Sequence, residues 1–327
     1  MGRRRVLGLI GAMVLAAAVV LASCDGDVDP EPNEGTAIVS IGDSVASGEG
    51  NPARRGRPWL DRRCHRSATA GQTFAAEEAR QERPDIGFFS FACSGATIDR
   101  GLLGPYRGIE PAPFQRPARP QLEQVADVVA VTEGGLAAVL VSIGANDVGF
   151  AKIVKFCAVV PRCWERHFNP AFPLVEAGPK QPTLAVWVSA RIDELPERYR
   201  RLNEALAPVI EPDRVIITEY FDPTTGPGGV DCLMLFGGVK PEESRWAREN
   251  VLVPLNERIA EAAEEHGWQP VSEVDESFRG HGICARRGRW VRTLGEGPLS
   301  GTLHPNEAGH RQIAELISPE LAEVLNP

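Results

Sequence analysis

Apolar runs alternate with helical patterns along most of the chain. Four runs rich in β-branched residues are continuous enough to be strands buried on both faces: residues 36–41 (TAIVSI), 86–91 (IGFFSF), 136–143 (LAAVLVSI) and 215–220 (VIITEY). Helical patterns lie between or after them, at residues 72–83, 120–131, 184–209 and 242–266. This alternation predicts a three-layer α/β/α sandwich with a central parallel sheet.

A last helix is predicted to begin at Pro305, because proline is favourable at the first helical position. Ile313, Leu316 and Ile317 then fall on one face at helical spacing. Pro319 is expected to interrupt this helix, since it cannot donate a backbone hydrogen bond.

The N-terminus has the pattern of an export signal. Three arginines at positions 3–5 precede an uncharged apolar run, residues 6–22, which is shorter than the ~20 residues a membrane span needs. The run ends in LASC, which is typical of a bacterial lipoprotein signal whose Cys24 is acylated; plain secretion with an incidental Cys24 is the alternative. We predict a signal peptide at 1–23, an acidic tether at 24–35 and one folded domain at 36–327.

The net charge of the chain argues against nucleic acid and anionic lipid as binding partners. Removal of residues 1–23 deletes three arginines and no acidic residue, so the net charge moves from −9 to −12. A chain this acidic lacks the basic surface that binds nucleic acid or anionic lipid. Membrane contact is therefore expected only through a lipid on Cys24, and we expect a monomer.

The remaining cysteines indicate disulfides. Besides Cys24 there are six: Cys64, Cys93, Cys157, Cys163, Cys232 and Cys284. An even set in an exported chain favours disulfides over a metal site, and the chain has no Cys-x-x-Cys pair. Six cysteines allow 15 connectivities, of which sequential pairing (64–93, 157–163 and 232–284) is the simplest.

Three short segments carry candidate chemistry. Ser44 lies in residues 41–48 (IGDSVASG), directly after the first predicted strand, and a serine there can be a nucleophile if a base lies within reach. Asn146 lies in residues 143–147 (IGAND) after another strand, where its amide can donate to an oxyanion. His304 precedes Pro305 in residues 303–310 (LHPNEAGH) and has the titration range of a general base.

Each segment also has an ordinary structural interpretation. Ser44 can belong to a turn with a helix cap, Asn146 can form an Asx turn, and a lone histidine is usually structural, as we expect for His310. Their order and context distinguish them. The glycine-aspartate-serine segment, Gly95 in residues 93–97 (CSGAT), the Gly-x-Asn-Asp segment and the final His-Pro together resemble the SGNH, or GDSL-like, hydrolase family over about residues 36–325.

The resemblance implies a flavodoxin-like SGNH domain that hydrolyses carboxylic esters without a cofactor or metal. It assigns Ser44 as the nucleophile and His304 as the general base. It also implies an oxyanion hole made of the backbone N–H groups of Ser44 and Gly95 and the side-chain amide of Asn146.

One position departs from the family pattern. The family usually has an aspartate three residues before the histidine, and this chain has Gly301 there. A subset of secreted, disulfide-containing esterases is similar in this respect and uses a backbone carbonyl instead. We therefore expect a Ser44–His304 dyad oriented by the Gly301 carbonyl or a near neighbour, with a carboxylate from Asp222 or Asp275 as the alternative.

Other functions remain open at this level. An acyltransferase could use the same acyl-enzyme, and a non-catalytic cell-envelope binding module would need all four site residues to be vestigial. No His-Glu-x-x-His spacing favours a metallohydrolase, and no Gly-x-Ser-x-Gly elbow favours an α/β-hydrolase. We expect short- to medium-chain esters, with lipids or acylated glycans as natural substrates, in a pocket formed by loops 48–67, 102–119 and 156–182.

Overall fold

A parallel five-stranded sheet forms the centre of the protein in a computed structural model that describes residues 34–52, 59–226, 239–296 and 299–326. Its strands are β1 (Ala37–Gly42), β2 (Gly87–Ser90), β3 (Leu136–Ser142), β4 (Val215–Thr218) and β5 (Gln269–Val271), in the order β2-β1-β3-β4-β5. The predicted signal peptide, Cys24, most of the tether and Cys232 lie outside the described residues. Within them, no helix is long and apolar enough to cross a bilayer.

The buried apolar runs explain the sheet. Every residue of β1 and of β3 is buried, as the continuous apolar sequences predicted. Val39 pairs with Val139, and Leu140 pairs with Ile216, so the central strands share one register of aliphatic side chains. The sequence analysis missed β5, because this strand has three residues and contains Pro270, which is tolerated at a sheet edge.

Helices cover both faces of the sheet and confirm the predicted sandwich. They are α1 (Ser44–Ser47), α2 (Gly71–Glu82), α3 (Gln121–Val131), α4 (Phe150–Cys157), α5 (Leu184–Asp193), α6 (Leu195–Leu206), α7 (Pro241–Ala247), α8 (Val253–His266), α9 (Val274–Phe278) and α10 (Glu307–Leu325). Helices α2 and α10 pack together on one face. Helices α6 and α8 contact each other, and the right-handed crossover rule puts them, with α3, on the other face.

Two predicted long helices are divided where a proline removes a backbone donor. The pattern at residues 184–209 gives α5 and α6, which meet at Glu194, and Pro196 occupies the first turn of α6. The pattern at 242–266 gives α7 and α8 joined by a π-helical turn, Arg248–Leu252. Pro254 lies two residues after the end of this turn, and its ring would clash with the carbonyl four residues earlier in a regular helix.

The last helix differs from its prediction at two prolines. It begins at Glu307, not Pro305, because the side chain of Asn306 caps it by accepting from the Gly309 N–H. It also continues through Pro319 to Leu325. Burial of apolar side chains on both sides of the proline, including Ile317 and Leu321, offsets the missing hydrogen bond.

Two of the predicted disulfides are confirmed. Cys64 is bonded to Cys93, and Cys157 is bonded to Cys163. Cys284 is disulfide-bonded as well, and its predicted partner, Cys232, lies outside the described residues. The first bridge connects the segment before α2 to the loop after β2, close to the predicted oxyanion hole.

Candidate active site

Ser44 occupies a tight turn between β1 and α1. Gly42 has φ 139°, and a Cβ atom there would collide with the carbonyl oxygen of Ser142 on the neighbouring strand. The Asp43 N–H donates to that carbonyl (3.0 Å), and the Asp43 carboxylate accepts from the Val45 N–H (3.0 Å). Ser44 is half-buried while both its neighbours are buried, so the turn presents this hydroxyl at the surface.

The strand order explains why the site forms at this edge. From β1 the chain crosses first to β2 on one side and later to β3 on the other. A crevice forms at the carboxyl ends of strands where the winding direction reverses, and ligands bind there in open α/β sheets. Ser44 follows β1 and Asn146 follows β3, so both residues border this crevice.

The predicted oxyanion donors lie on two connected loops. One Asn146 amide N–H donates to the Ala96 carbonyl (3.1 Å), which holds the side chain and leaves its second N–H for a ligand. Gly95 has φ 84°, and a Cβ there would collide with the Tyr106 hydroxyl. In the part of the chain that the structure describes, the Gly95 N–H donates to no acceptor. Both loops can therefore offer donors to a substrate oxygen.

His304 is oriented by a backbone carbonyl. Its ring Nδ1 lies 3.3 Å from the Thr302 carbonyl oxygen. The Gly301 carbonyl instead accepts the backbone N–H of His304 (3.2 Å). Leu303 between them adopts a left-handed conformation (φ 70°), and this tight turn brings the nearer carbonyl toward the ring. Of the two carbonyls that the expectation allowed, Gly301 or a near neighbour, the one that faces the ring is therefore that of Thr302.

The two alternative carboxylates accept hydrogen bonds from other groups, although Asp222 lines the same pocket as His304. Asp275 accepts from the Arg248 guanidinium (2.8 Å) and from the backbone N–H of Asp222 (2.9 Å). Asp222 accepts from Thr224 and lies 3.7 Å from the same guanidinium. Among the described residues, neither carboxylate hydrogen-bonds to the His304 ring.

Asp43 of the Gly-Asp-Ser segment and Asp147 of the Gly-x-Asn-Asp segment both have structural roles. The sequence analysis did not predict these roles. Asp43 accepts from the Tyr220 hydroxyl (2.7 Å), and burial raises its pKa to about 7 despite this bond. Asp147 accepts from the Ile98 N–H (3.1 Å) and from Arg198 (2.7 Å). Asp43 thus connects the nucleophile turn to the segment after β4, and Asp147 holds the Asn146 loop against the Gly95 loop. In the sequence, the only indication of these roles is that both aspartates lie within the motifs.

A deep apolar pocket opens beside Ser44 and His304, which both line it. The space between its walls is about 970 Å³, a figure that includes the open solvent at its mouth. Its apolar walls are formed by Val45, Ala145, Val148, Phe150, Ile153, Val154, Tyr220, Phe221, Val239, Ala247, Val251, Leu252, Leu255 and Leu303. Such a wall suits a hydrocarbon chain attached to a carbonyl held at Ser44.

The position of the pocket corrects the sequence expectation. Loops 48–67, 102–119 and 156–182 were expected to form it, but of these only Cys157 contributes a lining residue. The walls come mainly from α4, from α7 with its π-helical turn, from α8 and from the segment after β4. One sequence feature could have indicated these walls. It is the set of apolar positions on helices near the sheet edge: Ile153, Val154, Val251 and Leu255.

These features define a class: an α/β/α hydrolase of the SGNH fold, with a serine after the first strand and a histidine before the last helix. The chain belongs to the GDSL-like lipase/acylhydrolase family, whose profile matches residues 40–312. It is thus a carboxylic ester hydrolase, and its substrates are small-molecule esters.

Individual relatives agree with this family. Lipase 1 of Streptomyces coelicolor is 24% identical over 325 residues, which cover 94% of this chain and 95% of the relative. The fold is similar to that of the extracellular lipase of Streptomyces rimosus (TM-score 0.59, 18% identity, 88% of this chain and 99% of that one). It is also similar to phospholipase A1 of Streptomyces albidoflavus NA297 (TM-score 0.52, 19% identity, the same coverage).

Proposed function

We propose that the protein is an exported esterase or lipase in which Ser44 attacks the ester carbonyl and His304 acts as general base. The observation that carries this proposal is that the two side chains, far apart in sequence, line one apolar pocket at the carboxyl edge of the sheet. A serine with a histidine at such an edge, beside loops that offer N–H donors, is the arrangement that nucleophilic acyl transfer requires.

The proposed reaction has two matched halves. The Ser44 Oγ adds to the carbonyl carbon and its proton passes to Nε2 of His304, while the Thr302 carbonyl accepts from Nδ1 and fixes the tautomer. The oxyanion is stabilised by the N–H groups of Ser44 and Gly95 and by the Asn146 amide. Collapse of the intermediate expels the alcohol, which takes the proton from His304. Water then repeats the sequence on the acyl-enzyme and releases the acid.

The pocket supports an acyl chain of medium length. Its lining is mainly aliphatic and aromatic, and each buried methylene contributes roughly 0.8 kcal/mol of binding. Six more methylenes in an octanoyl than in an acetyl group should therefore favour the longer ester at least tenfold in kcat/KM. Lipids and acylated glycans are the natural esters we propose.

The test is hydrolysis of p-nitrophenyl acetate and octanoate by the disulfide-bonded protein and by Ser44→Ala and His304→Ala. Both variants should lose at least 1,000-fold in kcat, since removal of a catalytic serine or histidine can cost about 10⁶-fold. Folding of each variant is checked by circular dichroism. Activity that persists in a folded Ser44→Ala protein would refute the nucleophile. Preference for acetate would place the acyl chain outside this pocket.

We further propose that residues 1–23 direct export and that a lipid on Cys24 anchors the mature protein to the cell envelope. The extracellular location stated for the Streptomyces rimosus lipase and the disulfides of this chain support export. Labelled palmitate should be incorporated into the parent and not into Cys24→Ser. Equal incorporation, or none in either protein, would contradict the anchor.

A further inference from the structure

A buried carboxylate lies behind the candidate site and is absent from the family motifs. Glu49 is 1% exposed, and its two oxygens accept three hydrogen bonds. Oε2 accepts from His65 Nδ1 (2.7 Å) and from Ser94 Oγ (2.6 Å), and Oε1 accepts from Ser300 Oγ (2.9 Å). Burial of a carboxylate is unfavourable without such partners, so this side chain is held in place by three other segments.

Two of these three side-chain contacts reach a segment that carries a site residue. Ser94 directly precedes Gly95, and Ser300 lies in the short turn that leads to His304. The backbone N–H of Glu49 itself donates to the Ser44 carbonyl (2.9 Å). One residue therefore connects the nucleophile turn, the oxyanion loop and the histidine loop.

In the described part of the chain, no carboxylate hydrogen-bonds to the His304 ring. Gly301 stands where the family has an aspartate, and the Thr302 carbonyl that faces Nδ1 is a neutral dipole. A neutral carbonyl can hold the tautomer, but it stabilises an imidazolium less than an anion would. Glu49 accepts from Ser300, in the turn that leads to His304, so its carboxylate lies beside the histidine loop, and its charge acts to raise the pKa of His304.

We propose that Glu49 is a positioning residue of this site, supplying through space the negative charge that stabilises the His304 imidazolium as Ser44 attacks. It does so without a direct hydrogen bond to the ring, while its contacts to Ser94 and Ser300 hold the two flanking loops. This inference rests on the proposed esterase function and identifies the source of the countercharge that the missing aspartate would supply.

The charged groups around Glu49 are consistent with an ionised carboxylate. Burial acts to raise its pKa, but the hydrogen bonds from His65 and Ser94 and the charge of His304 together hold the pKa below its ordinary value. His65 donates from Nδ1, is stacked under Trp59 (ring centroids 4.3 Å apart), and its Nε2 lies 3.7 Å from Glu110.

The groups around His304 have opposing effects on its pKa. Burial lowers the pKa of His304 below its ordinary value, and the nearby His65 acts in the same direction. The charge of Glu49 and the Thr302 carbonyl act to raise it. Arg292, whose backbone N–H donates to the His304 carbonyl, and the buried His310 are the other titratable groups close by. Removal of the Glu49 charge should therefore lower the pKa of His304 further.

The experiment compares Glu49→Gln with a matched control, Glu110→Gln. Glu110 is a carboxylate near the same His65, but it is half-exposed and forms no hydrogen bond to the site loops. The pKa of His304 is read from the ¹⁵N shifts of labelled histidine, and kcat/KM for p-nitrophenyl octanoate is measured against pH.

In Glu49→Gln we expect the His304 midpoint and the acid limb of kcat/KM to move down by about one pH unit. The plateau kcat should fall about tenfold, the factor equivalent to that change. Glu110→Gln should change neither the His304 midpoint nor the plateau kcat. Glu49→Asp keeps the charge, so it should retain most of the parent's midpoint and kcat. An unshifted limb in Glu49→Gln, or an equal shift in Glu110→Gln, would overturn the proposal, since a merely structural role lowers activity at every pH alike.

Two measurements separate the possible failures. The NMR titration needs no substrate, so a shifted His304 midpoint in a parent that hydrolyses no ester would refute the proposed function and leave the electrostatic coupling intact. If Glu49→Gln does not fold, the test is made on the parent protein. There the ¹³C shift of the Glu49 carboxyl should change as His304 is protonated. A carboxyl signal that ignores the His304 midpoint would refute the coupling.

Discussion

At the residue scale, the candidate site depends on half-buried functional groups held by buried ones. Ser44, Gly95, Asn146 and His304 each retain some exposure, whereas Asp43, Asp147 and Glu49 are buried. The buried carboxylates accept hydrogen bonds from the loops that carry the functional groups. This division pre-organises the donors before substrate arrives, which is the main source of electrostatic catalysis in acyl transfer.

Asn146→Ala tests this arrangement directly. The variant removes one oxyanion donor and also the bond to the Ala96 carbonyl, so kcat should fall about 100- to 1,000-fold. KM should change little, because the donor acts mainly in the transition state. Steady-state kinetics with p-nitrophenyl octanoate measure both values. A kcat close to that of the parent would remove Asn146 from the oxyanion hole.

At the element scale, an irregular helix shapes the pocket. The π-helical turn Arg248–Leu252 places Val251 and Leu252 in the pocket wall, immediately after Ala247 at the end of α7. Such turns widen a helix locally and are frequent at functional sites. Here Pro254 explains the turn, and the turn explains why a surface helix contributes to an internal wall.

Filling this wall should change the chain-length preference. In Ala247→Phe the larger side chain occupies space that an acyl chain would use, so kcat/KM for p-nitrophenyl octanoate should fall at least tenfold. The value for acetate should stay within about threefold, because a two-carbon acyl group needs little of the pocket. Ala207→Phe, at the exposed end of α6, is the control. Equal losses for both esters would contradict an acyl chain in this pocket.

A second element-scale feature is the junction of α2 and α10. Buried His310 on α10 accepts the backbone N–H of Gly71, at the start of α2, through Nδ1 (3.2 Å). The ring must be neutral to accept this bond, and burial lowers its pKa from 6.5 to about 3. His310 is therefore structural, as the sequence analysis expected, and it makes stability depend on pH.

The sign of this dependence follows from proton binding. Between pH 3 and pH 6.5 the unfolded chain binds a proton at His310 that the folded chain does not, so the parent loses stability as pH falls below 6.5. His310→Gln lacks this effect, and its stability deficit relative to the parent should shrink by about 2 kcal/mol between pH 7.5 and pH 5.

Urea unfolding at several pH values measures the deficit. The control is Ile313→Val, a buried change on the same helix without an ionisable group, whose deficit should not vary with pH. A deficit for His310→Gln that is equally constant would show that His310 is not neutral in the folded state.

At the scale of the whole molecule, disulfides constrain the loops that the sheet does not order. The Cys64–Cys93 bridge spans 29 residues and ends two residues before Gly95, whereas Cys157–Cys163 spans only 6. A bridge stabilises mainly by restricting the unfolded chain, and the effect grows with the length of the closed loop. The longer bridge should therefore contribute more stability.

Paired replacement by serine tests this order. Loss of Cys64–Cys93 should reduce the free energy of unfolding by about 3–4 kcal/mol, and loss of Cys157–Cys163 by about 2 kcal/mol. Urea unfolding monitored by tryptophan fluorescence gives both values. Equal losses, or the reverse order, would show that strain or residual structure dominates over loop closure.

Much of the fold could be predicted, because its signals are local. Continuous apolar runs identified β1 to β4, since a strand buried on both faces needs apolar residues at every position. The edge strand β2 departs from this expectation, because all four of its residues are only partly buried. Helix limits were less predictable: the break at Glu194, the π-helical turn before Pro254 and the continuation through Pro319 depend on how the packed core compensates for a missing donor. The edge strand β5 was too short to leave a pattern.

The amino-acid sequence by itself determined four of the five strands, the order of the chemical groups along the chain and the positions of Ser44, Gly95, Asn146 and His304 at the ends of elements. Only the tertiary structure decided which carbonyl faces the His304 ring, which helices line the pocket and which carboxylate lies behind the site. The physical reason is the distance along the chain over which each feature is encoded. Turns and buried runs are encoded by neighbouring residues, whereas the Thr302 carbonyl, the pocket wall and Glu49 acquire their roles from contacts between segments that only the folded sheet brings together.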